Sequence, residues 1–338
     1  MSYVPQIRRA AALTGAGGLL LLGVAACGGG SDAGKALPPP SPYGSSPSAS
    51  PSASAPYGPS PLTGLPARSP QNAARPAFGV AVSGTDTSGL DDADVVYEEE
   101  SDPVRYLAVY QSRDSDRIGP LGQARSTDPQ VLGMLHGAVG YASIRPGPLS
   151  QFKAMGAVDA GLPGHAKAYH SSGGNTYTST KAMYAALAKL KDKPSSAPTL
   201  FSYATAGKSL ASGKVKKAGS LTVTVPGRGT QRWTYAGGDW KRTSGGPRVT
   251  VANVIVQHTE YKQTNIAHGG VTAPKAKVFG KGACQVVSGA HAATGRWNRQ
   301  AADSLMLYVD VASFPFRLTP GRTWVVLAPP GTTAKARS

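Results

Sequence analysis

The stretch Ala93–Arg125, ADVVYEEESDPVRYLAVYQSRDSDRIGPLGQAR, decides how this chain is read. An apolar run, Ala93–Tyr97, leads into three consecutive glutamates, Glu98, Glu99 and Glu100. Val104–Tyr110 follows with alternating character, and a turn-rich segment then runs through Gly119-Pro120 to Arg125 and the start of a helix. Strands bracketing charged residues close to a helix N-terminus form the rim of a candidate binding site. On a strand, Glu98 and Glu100 share one face and Glu99 takes the other. Three readings stay open for Glu98, Glu99, Glu100 and Asp102. They are solvated or ion-paired structural residues, a ligand or cation site, or an acid/base pair for glycoside cleavage, which needs a set separation and one raised pKa. Arg105 and Arg125 are the natural partners, because a guanidinium pairs bidentately with a carboxylate. The same fork can instead grip an anionic ligand such as a wall phosphate or a lactyl carboxylate.

On the N-terminal side, Phe78–Val82 reads as a short strand and Gly84–Asp92 as a loop. On the C-terminal side, Thr127 or Asp128 caps a helix whose first position is Pro129, where a missing amide proton does no harm. Val131, Leu132, Leu135 and Val139 supply its apolar face, and Tyr141–Ile144 reads as a strand. A second helix is capped by Thr178 or Ser179 and carries Met183, Tyr184, Leu187 and Leu190 at helical spacing. Asp192–Pro198 breaks the pattern. Beyond it, Leu221, Val223 and Val225 alternate with threonines, and Trp233, Tyr235, Gly237-Gly238 and Trp240 spell a hairpin. Val249–Gln257, Val278–Val287, Ala293–Trp297, Leu305–Val311 and Thr323–Leu327 complete a largely antiparallel set. The expected fold is α+β: an N-terminal α/β lobe over residues 61–193, then a mostly antiparallel β lobe over residues 199–329.

The ends read differently. Arg8 and Arg9 precede a short apolar run that closes on Val24-Ala25-Ala26-Cys27, the pattern of a secretory leader over residues 1–26. The run is shorter than the roughly 20 residues a bilayer-spanning helix needs. A cysteine after Val-Ala-Ala is similar to a bacterial lipobox, which makes Cys27 the expected lipidation site. Acyl chains anchor at about 0.8 kcal/mol per buried methylene. Residues 27–60 are a Ser/Pro/Ala-rich tether that cannot bury enough apolar surface to offset its ordering entropy. Residues 330–338 read as a frayed basic tail.

The chain has 338 residues, of which 40% are hydrophobic, and a formal charge of +17. Its basic residues look dispersed, with no arginine-rich helix or basic-aromatic block, so nucleic acid is not an expected partner. Net sign alone suffices for attraction to an anionic membrane face or wall polymer. With Cys27 lipidated, Cys284 is left alone in an oxidising compartment and reads as a buried, inert thiol. No cofactor motif and no metal site is expected. His165, His170, His258, His268 and His291 lack zinc-ligand spacing, Ser171-Ser172-Gly173-Gly174 lacks a nucleophile elbow, and Gly280-Lys281-Gly282 is too short to cradle phosphate. Trp233, Trp240, Trp297 and Trp324 read as core, with stacking on sugar rings as the alternative.

Ala93–Glu98, Val104–Ala108 and Ile118-Gly119-Pro120 with Ala124-Arg125-Ser126 resemble the YerB-like lipoproteins, a bacterial family of two tandem domains. The likeness continues through Arg75-Pro76, Gly89-Leu90, Asn175 with Tyr177-Thr178-Ser179, Ala252–Gln257 and Leu318–Trp324. It implies a lipid-anchored extracytoplasmic protein, supplies no activity, and adds Asn175 to the tentative ligand-binding residues. Gly122 stands where the family pattern has arginine, Gly174 where it has histidine, and Ser83 or its neighbour where it has asparagine. Ser143-Ile144-Arg145-Pro146 replaces a Gly-Gly-Ser-like turn. Those departures favour altered binding over a shared catalytic mechanism. The expectation is therefore a membrane-tethered binding or scaffold module of the cell envelope, with the bilayer through Cys27 and a wall polymer or envelope protein as partners. A wall glycan hydrolase or lyase using one of the carboxylates, and a solute-binding lipoprotein, are the alternatives.

Overall fold

Three strands, Phe78–Ser83 (β1), Val95–Glu99 (β2) and Arg105–Tyr110 (β3), form the centre of the fold; β3 pairs antiparallel with the other two. The structure, a computed structural model, describes residues 57–101, 103–205, 209–210, 215–265 and 272–338. The expected leader, the lipidation site and nearly all of the expected tether lie outside the described residues, as do Asp102 and His268. Tyr57 to Ser60 are described, and Ser60 is already buried.

β1, β2 and β3 are buried on both faces, which is why they read as near-continuous apolar runs. Side-chain alternation divides them between two cores. Val95, Tyr97, Leu107 and Val109 pack on one side of the sheet. Val96, Tyr106, Ala108 and Tyr110 pack on the other. Each fully buried aliphatic or aromatic side chain contributes about 1.5–3 kcal/mol.

After β3 come helix Thr127–Gly133 (α1), strand Ala138–Gly140 (β4), helix Gln151–Met155 (α2), strand Val158–Asp159 (β5) and helix Thr180–Leu187 (α3). The Ser179 side chain accepts from the Ala182 amide, so α3 has its expected cap. α1 is shorter than its apolar pattern suggests, and Val139 belongs to β4 instead. Gly133 lies so close to α2 that a Cβ there would sit 1.9 Å from the Met155 carbonyl oxygen. His136 then takes φ 51°, and the chain turns into the sheet. The strand expected at Tyr141–Ile144 accordingly falls at Ala138–Gly140.

The second segment is almost entirely strand: Ser220–Val225 (β6), Gly229–Ala236 (β7), Asp239–Ser244 (β8), Asn253–His258 (β9), Tyr261–Asn265 (β10), Thr272–Ala276 (β11), Gly280–Ser288 (β12), His291–Arg299 (β13), Leu307–Val309 (β14), Thr323–Ala328 (β15) and Thr333–Arg337 (β16). Most pairings are antiparallel, so the chain is α+β as its pattern led us to expect. The expected long strand Val249–Gln257 is split. Thr250–Val251 pairs with β8 in a smaller sheet, and Asn253–His258 pairs with β12 and β15 in the larger one. The tail is not frayed: β16 pairs along the whole of Thr333–Arg337 with β6. Its alternation of Thr, Lys and Arg with half-buried Ala334 and Ala336 is an amphipathic strand pattern that the basic composition obscured.

The larger sheet runs β14-β13-β12-β9-β15-β2-β3-β1-β4-β5, and the smaller runs Thr250–Val251, β8, β7, β6, β16. β2 pairs parallel with β15, so strands from both segments share one sheet. Parallel pairs β9–β15, β15–β2, β1–β4 and β4–β5, with β3 antiparallel between β2 and β1, make six strands point the same way. Their carboxyl ends share one edge, the place where open sheets with parallel strands most often put a site. Leu221, Val223, Trp233 and Trp240 of the smaller sheet pack with Val96, Val254 and Trp324 of the larger.

Candidate functional site

The glutamates of β2 arrive at that carboxyl edge, and strand alternation sends them to opposite sides. Glu98 faces the smaller sheet. Its carboxylate accepts from Arg242 Nη2 at 3.0 Å, Trp324 Nε1 at 2.8 Å and Gln231 Nε2 at 2.5 Å. The Arg242 guanidinium lies 5.2 Å and 5.1 Å from the ring centres of Trp233 and Trp324. Glu100, just past the strand, turns to the same side and pairs with Arg228 Nε at 2.8 Å, while its amide donates to Tyr261 Oη. Glu99 faces the helices. Arg105, opposite it in the ladder, donates from Nη1 to Glu99 at 2.7 Å, from Nη2 to Asp128 in α1, and from Nε to the Gln123 carbonyl.

This second cluster is almost dry, with side-chain exposures of 2% for Arg105, 3% for Glu99 and 0% for Asp128. Burial pushes the Glu99 pKa up, and the Arg105 charge pulls only part of that back. For Arg105, burial works against the charge, but Asp128 and Glu99 together outweigh it and hold its pKa above the ordinary value. Two carboxylates face one guanidinium, and Asp128 Oδ1 is buried without a hydrogen-bond partner. Asp128, expected as a helix cap, instead accepts from Arg105 and from the Arg125 amide at 2.8 Å. The Arg125 side chain forms no ion pair with these acids. Its pKa is lowered by burial and then by the neighbouring Arg105 charge, and its Nε is buried without a partner.

The opening beside Glu98, Glu99 and Glu100 measures about 40 Å³. That holds one or two waters and excludes a sugar ring. Asn175 is exposed in the turn of the hairpin His170–Ser172 and Asn175–Tyr177, its amide facing the Gly173 carbonyl rather than the carboxylates. Gly122, Ser83 and Ser143, positions where the sequence reading expected departures, meet in space. A Cβ on Gly122 would lie 2.8 Å from Ser83 Cβ, and Gln123 bridges Ser143. Ser83 is the ladder partner of Arg105, so these departures border the Glu99 cluster.

The tryptophans and Cys284 are core residues, as read from the sequence. All four tryptophans are buried, with exposures of 0–1%. Burial pushes the Cys284 thiol up to about 12. No group of three or more potential metal ligands occurs among the described residues. No described helix is long and apolar enough to cross a membrane. Sequence reasoning missed Gln231, Arg242 and Trp324, whose separations from Glu98 are 133, 144 and 226 residues. It also missed Asp94, whose buried carboxylate accepts from the Gln111 and Ser112 amides and the Ser112 hydroxyl and so pins the turn after β3.

Two family models match the chain and together span most of it: "Protein of unknown function (DUF3048) N-terminal domain" over residues 62–195 and its C-terminal counterpart over residues 221–325. Among solved structures, the YerB protein from Bacillus subtilis superimposes with a TM-score of 0.66 at 18% identity, covering 82% of this chain and 99% of that one. A search of curated proteins returns no match. At that identity the superposition speaks to the fold, and the two consecutive models speak to descent. The chain is a two-domain member of the YerB-related DUF3048 family.

Proposed function

We propose that this protein is a binding or scaffold module of the bacterial cell envelope, held on the extracytoplasmic face of the membrane by lipid on Cys27. The observation that carries the binding reading over a wall hydrolase is how the β2 glutamates are engaged. Glu98, Glu99 and Glu100 each have an arginine partner, and the space beside them is about 40 Å³. A glycosidase pair needs a carboxylic acid and a carboxylate with a sugar between them. Here the acids serve as struts: Glu98 and Glu100 tie the β2 end to the smaller sheet side, and Glu99 ties β2 to Arg105 of β3, which in turn holds Asp128 of α1. The leader-like segment, the small-residue run before Cys27 and the Ser/Pro-rich tether support the anchored location.

Fractionation with mass spectrometry tests the location. The expected product begins at an acylated Cys27 and stays with membranes, and Cys27→Ala releases it. An unmodified cytosolic protein that retains residues 1–26 refutes the location. Pull-down and calorimetry with wall fragments and envelope extracts test the binding role. Saturable binding without consumption of the wall material supports it; turnover of a wall substrate with no saturable partner refutes it.

A further inference from the structure

The positive charge of this chain is unevenly placed. Residues 211–338 hold 18 basic and 4 acidic side chains, so that segment carries +14 of the total +17. Part of that excess gathers on one surface. In the smaller sheet, Leu221, Val223, Trp233 and Trp240 turn into the core, so their strand neighbours turn outward. Register places Arg337, Ser220, Thr234 and Lys241 in one row across four strands. Lys335, Thr222 and Arg232 form the next row. All four cations are exposed, and none forms an ion pair with a described residue. This separates them from Arg105, Arg228 and Arg242, which the carboxylates of β2 hold. The field continues past Arg337 into a cleft of about 370 Å³ that Lys216 and Lys217 also line.

We propose that this outer face binds a linear phosphodiester polymer of polyol units, with the cleft at Arg337 receiving part of the chain. Strands lie ~4.8 Å apart and residues i and i+2 ~6.8 Å apart, which sets neighbouring cations about 7–10 Å from one another. A glycerol phosphate repeat has six backbone bonds, each advancing about 1.2 Å when extended, so its charges recur about every 7 Å. Ser220, Thr222 and Thr234 lie between the cations and offer hydroxyls to phosphate oxygens and to the polyol. The face carries no aromatic platform of the kind single-stranded nucleic acid stacks on. It also lacks the apolar side chains an interfacial membrane surface inserts. The proposal deepens the envelope-binding reading by naming ligand class and surface, but its measurement in solution does not depend on the anchor.

The test is calorimetric titration of the Cys27→Ser protein with defined-length poly(glycerol phosphate) at about 0.15 M salt. An oligothymidylate of equal phosphate number and phosphatidylglycerol vesicles serve as comparison ligands. The expected result is saturable, salt-sensitive binding that R232Q/K241Q/K335Q/R337Q weakens about tenfold or more. K181Q/K189Q/K191Q/K193Q removes the same charge from exposed positions elsewhere and is expected to leave affinity within about twofold. Urea midpoints of both variants confirm that the fold is kept. The proposal is overturned by absence of binding, by equal loss in both variants, or by equal affinity for the oligothymidylate or the vesicles. If wall fragments bind but poly(glycerol phosphate) does not, this proposal fails and the envelope-binding reading stands.

Discussion

Replacing Arg105 with methionine tests whether the Glu99–Arg105–Asp128 cluster is a structural lock. The guanidinium bonds both carboxylates and the Gln123 carbonyl. Methionine keeps much of the side-chain volume and removes only the charge and its donors. Glu99 and Asp128 are then left buried together without the cation that bonds both, a situation that costs about 3–5 kcal/mol when one partner of a buried pair is removed. The pH dependence gives the prediction its sign. Without the arginine, the burial that already raises the Glu99 pKa in the intact protein is no longer opposed by that charge. A group raised in this way contributes stability that is present below the unfolded pKa and lost as pH rises through the folded pKa. The deficit of R105M is therefore expected to be largest near neutral pH and to shrink toward about pH 4.5 as Glu99 takes up a proton. R105M/E99Q/D128N should recover most of the loss at neutral pH, because the uncompensated charges have gone. Urea unfolding followed by fluorescence of the four buried tryptophans reads all of this. A loss below about 1 kcal/mol, or a deficit that does not vary with pH, refutes the reasoning.

Two other outcomes follow from the packing. Cys284 is pushed by burial to about 12 from an ordinary 9.0. In Cys27→Ser protein it should resist thiol reagents near pH 8 until urea unfolds the chain, and rapid stoichiometric labelling of the native state would contradict its burial. Because the folded value is raised, its contribution to stability is present below about pH 9 and is lost as pH climbs toward 12. Ending the chain at Pro330 removes β16, the edge strand that covers β6. The thermal midpoint should fall by several degrees; an unchanged midpoint is the behaviour of an unstructured tail.

How far the sequence could be read depended on the range of the interactions. Local signals held: the Ser179 cap, the Gly237-Gly238 hairpin turn, and the alternation that separates Glu99 from Glu98 and Glu100. Arg105 was recognisable as a partner because only a short connection divides it from Glu99. Arg125 contributes through its backbone amide instead, a role that side-chain chemistry does not announce. α1 reads longer in the sequence than it is because the chain leaves it through His136 at φ 51°, next to a Gly133 pressed against the Met155 carbonyl of another helix, and local spacing encodes neither. Arg242 and Trp324 could not be assigned to Glu98 because strands close in sequence do not join them; the parallel pairing of β2 with β15 brings in Trp324, and the packing of the smaller sheet on the larger brings in Arg242. The basic residues looked dispersed for a similar reason. A strand places its outward side chains at every second position, and only cross-strand register gathers Arg232, Lys241, Lys335 and Arg337 onto one surface.

The same register explains why opposite charges in one chain do not simply cancel. The carboxylates of β2 lie on a central strand buried on both faces, so their ion pairs form inside the protein or in the narrow opening at its edge. A buried pair costs desolvation on both sides, and evidence for net stabilisation from such pairs is weak. What the pairing does supply here is geometry: the arginine that Glu98 meets belongs to the smaller sheet, and the one that Glu99 meets belongs to β3. A wrong strand register by one residue would exchange those faces and leave each acid without its cation. Acids spent on register inside the protein cannot screen the outer face of the smaller sheet. The cations there remain available to a polyanion, and an envelope-facing protein with this charge division would present that surface to its ligand while its acidic cluster stays closed.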